Sequence, residues 1–205
     1  MRIAVLVSGS GTILEAIVDA GIEVSLVVSD RPCRGLERAA GHGIESLLVD
    51  RRAFGGFGEG FDRAAYTDAL SDALGERQID LVAMAGFGTV LGASIHDRFN
   101  GRILNTHPAL LPSFPGWHGV EDALAAGVSV SGCTVHLATL EMDAGPILAQ
   151  AEVPVFDDDT VESLHERIKQ VERRLYPATI ALAAQALAEG QDIRSIPAQP
   201  REARS

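Results

Sequence analysis

The sequence predicts an α/β fold: a single open, mostly parallel, twisted sheet with helices on both faces and antiparallel strands near the carboxyl-terminal part. Three observations predict it. Apolar runs of strand length alternate with segments of helical period, the pattern of parallel strands joined by crossover helices. The chain opens as strand, glycine turn, helix. Its 205 residues, 46% hydrophobic and 22% charged, suit one well-filled core and are too few for two ordinary domains with a linker. One domain over residues 1–190 is expected, followed by a flexible tail over 191–205 rich in Arg, Pro, Ala and Ser.

Ile3 to Val7 reads as the first strand. Gly9 to Thr12 forms a tight turn, and Ile13, Leu14, Ile17 and Val18 recur at helical spacing with Glu15 and Asp19 outward. Val24 to Val28 reads as a strand, Gly35 to Ala40 as a short helix and Leu47 to Val49 as a third strand. Phe54 to Phe61, with its run of glycines, is a surface loop. A helix over Ala64 to Leu74, a strand buried on both faces over Leu81 to Ala85 and a strand over Arg102 to Asn105 follow. Val128 to Leu137 and Ile147 to Val155 read as a strand pair across an acidic bend. Thr160 to Ala188 is helical in period, with an interruption expected at Pro177.

The formal charge of −11, with no run of lysine or arginine to track a phosphate backbone, argues against nucleic acid as a partner. Small anionic substrates need only local donors and remain open. Cys33 and Cys133 show no paired spacing, so neither a disulfide framework nor a zinc knuckle is expected. The six histidines likewise lack ligand spacing, and no metal is expected. The apolar run at the start is too short for a signal peptide, and none approaches the roughly 20 residues needed to span a bilayer. A cytoplasmic protein is expected.

Three segments carry chemistry. Gly9-Ser10-Gly11-Thr12 follows a strand and opens a helix, where backbone N–H groups and the helix dipole favour phosphate and Gly11 leaves room for its approach. The same turn also serves as a plain strand-to-helix connection, since Leu14 stands where a dinucleotide fingerprint has its third glycine. Asn105-Thr106-His107-Pro108 places an amide and an imidazole at the carboxyl end of a strand, where open α/β sheets bind ligands. Both groups can donate to a carbonyl oxygen that gains charge, which points to acyl or formyl chemistry. Asp143, in the bend after the penultimate strand, reads alone as a turn aspartate. Beside His107 it would favour imidazolium and accept a proton from an attacking amine. His136, inside an apolar strand, reads as a core or near-site histidine rather than a catalyst, and His118 as a supporting residue.

The combination of SGSGT at the amino end, AGF at 85–87, LNTHPALLPSFPG at 104–116 and MDAGPI at 142–147 resembles the glycinamide ribonucleotide formyltransferases, over residues 2–188. The resemblance implies a Rossmann-like formyltransferase fold. It also implies transfer of the formyl group of 10-formyltetrahydrofolate, a cosubstrate, to the amine of glycinamide ribonucleotide in purine synthesis. No metal or membrane is implied, and the protein would be a monomer or homodimer. Asn105 would orient the formyl oxygen, His107 would act as the acid that stabilises it, and Asp143 would keep His107 protonated.

The same resemblance puts the ribonucleotide on Gly11, Thr12 and Ile13, with Lys169, Gln170, Val171 and Glu172 closing the site and Glu172 near the amine. It puts the folate on Arg63, which would reach the glutamate tail, on Gly88, Thr89, Val90 and Leu91, and on Asn105, Thr139, Leu140, Glu141, Met142 and Asp143. For Arg63, Lys169 and Glu172 a solvated helix face is the equally weighted alternative. Two departures stand out. Thr12-Ile13 replaces a common Ser-Asn pair, so backbone donors must suffice for the phosphate. Gly88-Thr89 replaces a common Met-Arg pair, which removes charge and bulk beside the pterin. A formyltetrahydrofolate deformylase would be expected to carry an added regulatory domain, and a methionyl-tRNA formyltransferase an RNA-binding domain with positive charge. A non-catalytic binding module of the same fold is a further alternative, against which the intact Asn105, His107 and Asp143 speak.

Overall fold

A computed structural model describes residues 1–198. The chain falls into two compact units, Met1–Leu104 and Asn105 onward. In the first, β1 (Ile3–Val7) is buried at every position, as its unbroken apolar run requires for a strand covered on both faces. It pairs in parallel with β2 (Val24–Ser29) and β4 (Leu81–Met84), and β2 pairs in parallel with β3 (Ser46–Leu48). The third strand is one residue earlier than expected and largely exposed, so the apolar pattern that marks buried strands is weak there.

The connections are α1 (Thr12–Asp19), α2 (Arg34–Gly41), a 3-10 turn (Arg51–Phe54), α3 (Arg63–Glu76) and α4 (Ala93–Arg98). The last is six residues long, too short for a helical apolar period to show. Gly11 caps α1 with φ at +73°, and a Cβ on it would lie 2.7 Å from the Cα of Gly35. Two glycines thus let the turn after β1 rest on the start of α2.

The fifth strand, β5 (Ile103–His107), runs into the second unit, which adds α5 (Gly119–Ala125), β6 (Val130–Leu137), β7 (Ile147–Pro154) and α6 (Val161–Ala188). The strand order is β3-β2-β1-β4-β5-β6-β7. β6 and β7 pair antiparallel, with a register shift at Val135/His136, so the mostly parallel sheet with late antiparallel strands is present. The loop after β5 is tied to this hairpin by Thr134: its Oγ1 donates to the Ala109 carbonyl at 2.6 Å and accepts from Leu111 N–H at 3.0 Å and Gln150 Nε2 at 2.9 Å.

The interruption expected at Pro177 does not occur, and α6 is continuous through it. The missing donor costs about 3 kcal/mol in a helix interior. Here Leu175, Tyr176, Pro177 and Ile180 are all buried, in a helix that packs on β6 and β7, at roughly 1.5–3 kcal/mol per large apolar side chain. Burial decides the outcome. The helix starts on a reciprocal pair of bonds between Thr160 and Ser163. Beyond it, Ile193–Ser195 forms a 3-10 turn with Ile193 buried, and the rest of the expected tail, 199–205, lies outside the described residues. Among the described residues no helix is long and apolar enough to cross a membrane.

Gly132, in the middle of β6, has no room for a side chain: a Cβ would fall on the Ala151 carbonyl and the Leu110 side chain. Gly132→Ala should therefore destabilise the protein by about 1–3 kcal/mol, the usual cost of overpacking. Thermal denaturation checks this, and an unchanged midpoint would show that the hairpin yields without cost.

Candidate active site

Residues 105 and 107 are two apart on β5, so their side chains share one face while Thr106 points to the other. On the first face four groups meet. Asp143 stands in the bend between β6 and β7 with φ at +55°, a left-handed conformation that aspartate tolerates better than most residues. Its Oδ2 accepts from the Gly116 N–H at 2.8 Å and lies 3.4 Å from His107 Nδ1, and its Oδ1 lies 3.5 Å from His136 Nε2. Asn105 Nδ2 is 3.2 Å from the same His136 nitrogen. His136 Nδ1 donates to the Leu137 carbonyl at 3.0 Å, and His107 Nε2 donates to the Phe114 carbonyl at 2.7 Å. The side chains of His107, His136 and Asp143 are 5%, 1% and 6% exposed, so their charges are felt at close range with little water between.

Burial pushes the Asp143 carboxyl up, but His136, the Gly116 amide and His107 together outweigh it and hold the group below the usual carboxylate range. For His107 the balance goes the other way. Burial lowers its pKa, and Asp143 and the Phe114 carbonyl only partly restore it, with His136 adding to the depression. Asp143 thus favours the imidazolium, as expected of a neighbouring carboxylate, but desolvation outweighs it and the net shift is downward. Both ring nitrogens also have partners, so His107 can donate to a substrate oxygen only by giving up one of them.

His136, placed by the sequence in the core or near the site, belongs to the cluster and links Asn105 to Asp143. The available signal was the pair of polar residues Thr134 and His136, two apart and so on one face of a strand that is buried almost throughout.

On the opposite face of β5, Thr106 Oγ1 lies 3.3 Å from Cys133 Sγ, and the Thr106 hydroxyl favours the charged form of Glu172 of α6. Burial raises the Glu172 carboxyl to about 7, against the pull of Thr106, Lys169 and Arg173. Burial also pushes the Cys133 thiol up, which makes it unreactive near neutral pH. Lys169 pairs loosely with Glu166 at 4.0 Å, Gln170 is exposed and Val171 half-buried. Thr139, Leu140, Glu141 and Met142 are exposed around Asp143, and Trp117, next to Gly116, is 62% exposed.

In the first unit, Thr12 and Ile13 present their backbone N–H groups at the start of α1, with the half-buried Thr12 hydroxyl beside them. No side chain caps this helix, and the Ile13 side chain is buried. The missing side chain of Gly11 makes room for Gly35 and Arg38, which a Cβ would meet at 2.7 and 3.0 Å. Arg63 is exposed at the start of α3, with its N–H on the Phe61 carbonyl at 3.1 Å. Gly88 donates to Ser8 Oγ at 2.6 Å, while Thr89 is buried and donates to Asp30 Oδ2 at 2.7 Å. Val90 is half-buried and Leu91 buried. A guanidinium from another element stands against this turn: Arg51 Nη1 reaches the Gly88 carbonyl at 3.3 Å and Thr89 Oγ1 at 3.2 Å. Sequence reasoning missed Arg51, which carries no motif. Among the described residues no group of three His, Cys, Asp or Glu is placed to hold a metal ion.

Comparison with known proteins gives a consistent result. Residues 1–180 match the family described as Formyl transferase. The chain is 47% identical over 188 residues to the phosphoribosylglycinamide formyltransferase of Mycobacterium tuberculosis, covering 89% of this chain and 85% of that protein. Among solved structures, glycinamide ribonucleotide transformylase 1 from Symbiobacterium toebii matches with a TM-score of 0.84 at 43% identity, over 93% of this chain and 88% of that one. Phosphoribosylglycinamide formyltransferase from Bacillus halodurans matches with a TM-score of 0.83 at 39% identity, over 91% and 97%.

A carboxyl raised to about 7 by burial costs the folded state stability wherever the unfolded chain ionises and the folded one resists. The cost is absent below the unfolded value of about 4.3, grows as pH rises and is complete above the folded value. Glu172→Gln should thus stabilise the protein at pH 8 by on the order of 2 kcal/mol and leave it unchanged near pH 4. Melting temperatures at the two pH values check this, and an equal effect at both would refute it.

Proposed function

The chain belongs to the formyl transferase family, and on that premise we propose that it transfers the formyl group of 10-formyltetrahydrofolate to the amine of glycinamide ribonucleotide, in purine synthesis in the cytoplasm. The observation that carries this reading is the convergence of Asn105, His107 and Asp143 with His136 in one buried cluster. An amide and an imidazole lie together where a carbonyl oxygen must be held, with a carboxylate behind them.

The amine nitrogen attacks the formyl carbon and the carbonyl π pair moves to oxygen. The Asn105 amide and a His107 N–H donate to that oxygen as charge develops, the preorganised stabilisation that acyl transfer requires. For this His107 exchanges a present partner for the formyl oxygen, the Phe114 carbonyl being the neutral one. Growing negative charge on the oxygen raises the proton affinity of the ring, which counters its depressed pKa. The amine sheds its proton to a carboxylate, and collapse of the tetrahedral carbon expels the folate nitrogen, which takes a proton in its turn. Asp143 is ionised throughout the neutral range and orients His107. Glu172, with a value near 7, is suited to take the proton of the amine. No step forms a covalent bond to the enzyme, in keeping with the inert thiol of Cys133.

The phosphate of the ribonucleotide is assigned to the backbone N–H groups of Gly11, Thr12 and Ile13, and the amine to Glu172, with Lys169, Gln170 and Val171 beside it. The folate is assigned to Arg63, to Gly88 through Leu91, and to Asn105 and the bend Thr139 through Asp143.

The direct test is a formyl-transfer assay with both substrates, with formate measured alongside. Formylated amine without stoichiometric formate supports transfer, and formate alone would assign hydrolysis instead. Asp143→Asn should lower kcat by about 10²–10⁴-fold and change KM for the folate far less. Added to His107→Ala it should cost little more than either change alone. Near-full turnover in Asp143→Asn would remove the aspartate from the mechanism. If Glu172 takes the proton, kcat/KM for the amine should rise with pH through about 7, and Glu172→Gln should abolish that limb of the profile.

A further inference from the structure

Arg51 stands between the two segments of the first unit assigned to folate. Its Nη1 reaches the Gly88 carbonyl at 3.3 Å and Thr89 Oγ1 at 3.2 Å, and its Nε donates to the Gly56 carbonyl at 2.8 Å. Its guanidinium lies 3.8 Å from the centroid of the Phe61 ring and 4.8 Å from that of Phe57. Phe61 in turn accepts the N–H of Arg63 on its carbonyl at 3.1 Å. One cation is therefore fixed against both the Arg63 end of α3 and the Gly88-Thr89 turn.

Its partners leave the charge unmet. All three hydrogen-bond acceptors are neutral, and no carboxylate among the described residues forms an ion pair with Arg51. The nearby carboxylate, Asp30, is fully buried and already holds Arg31 by two bonds of 2.9 and 3.0 Å as well as the Thr89 hydroxyl. Asp62 is committed to capping α3 through the Ala65 N–H at 2.9 Å. Of the two guanidiniums on Phe57, Arg31 has a carboxylate and Arg51 has none among the described residues, in a chain whose formal charge is −11. A half-buried arginine whose fork is oriented by aromatic rings and neutral acceptors is preorganised for a carboxylate from outside.

We infer that Arg51 binds a carboxylate of the amino-acid tail of the formyl donor, and that it supplies the cation that Gly88-Thr89 lack. This rests on the proposed transfer reaction. The tail is the donor's anionic part, and Arg51 would hold it next to Arg63, leaving the pterin and the reacting carbon to other residues. Arg51 is then a determinant of donor specificity rather than a catalytic residue.

The experiment compares 10-formyltetrahydrofolate with 10-formyltetrahydropteroate, which ends at the p-aminobenzoate carboxyl and lacks the glutamate. Arg51→Gln keeps a hydrogen-bonding side chain and removes the charge. With the full donor it should raise KM by about tenfold or more and leave kcat within about twofold, and Arg51→Lys should lose less. With the truncated donor, wild type and Arg51→Gln should be alike. Equal losses with both donors, or a lowered melting temperature that accounts for them, would overturn the proposal and make Arg51 a brace for the glycine loop. Wild-type protein that transfers formyl from neither donor would contradict the proposed function. Calorimetric binding of tetrahydrofolate against tetrahydropteroate then still decides the role of Arg51, by whether the glutamate contributes affinity and whether Arg51→Gln removes that contribution.

Discussion

A buried carboxylate is costly unless its lone pairs are met, and Asp143 shows how the second unit meets that demand. The Gly116 amide, His107 and His136 surround its two oxygens, and each comes from a different part of the chain. Removing any one would leave a charge with an unfilled site in a nearly dry surrounding, which costs more than the bond itself contributes. The carboxylate therefore dictates where the loop after β5 turns, how the two imidazoles are rotated and where the bend after β6 must place its residue. The left-handed backbone at Asp143 is a local cost borne for that arrangement.

The two faces of β5 divide the chemistry. One gathers the Asn105 amide and the two imidazoles around Asp143, the other leads through Thr106 to a carboxyl that burial makes reluctant to ionise. Two acidic residues are thus driven in opposite directions, Asp143 down by its donors and Glu172 up by desolvation. Such separation lets one small region hold a permanent anion and a proton acceptor at the same pH. The strand between them is the partition.

Much of this was legible in the sequence. Strands buried on both faces announce themselves as unbroken apolar runs, so β1, β2 and β4 were visible, as was the β6–β7 pair from its length and the acidic bend. Short α4 and α5 were not, because six or seven residues carry too little periodicity. Pro177 misled because its local cost is real and the burial that offsets it is tertiary. In the site, Asn105 and His107 were readable from their place at a strand end. The sign of the His107 shift was not, since it depends on how much water the fold removes. Arg51 was invisible for a related reason: its meaning lies in partners 5, 37 and 38 residues away.

The bond between Gly116 and Asp143 has an optical corollary. The next residue, Trp117, is the single tryptophan of the chain and is 62% exposed, so all indole emission arises one peptide unit from the cluster. Indole emission moves to shorter wavelength as the ring leaves water. Movement of the Phe114–Gly116 turn, including the exchange that frees His107, would therefore be written into a spectrum that needs no attached dye, and its kinetics would be open to stopped-flow observation in the unmodified protein.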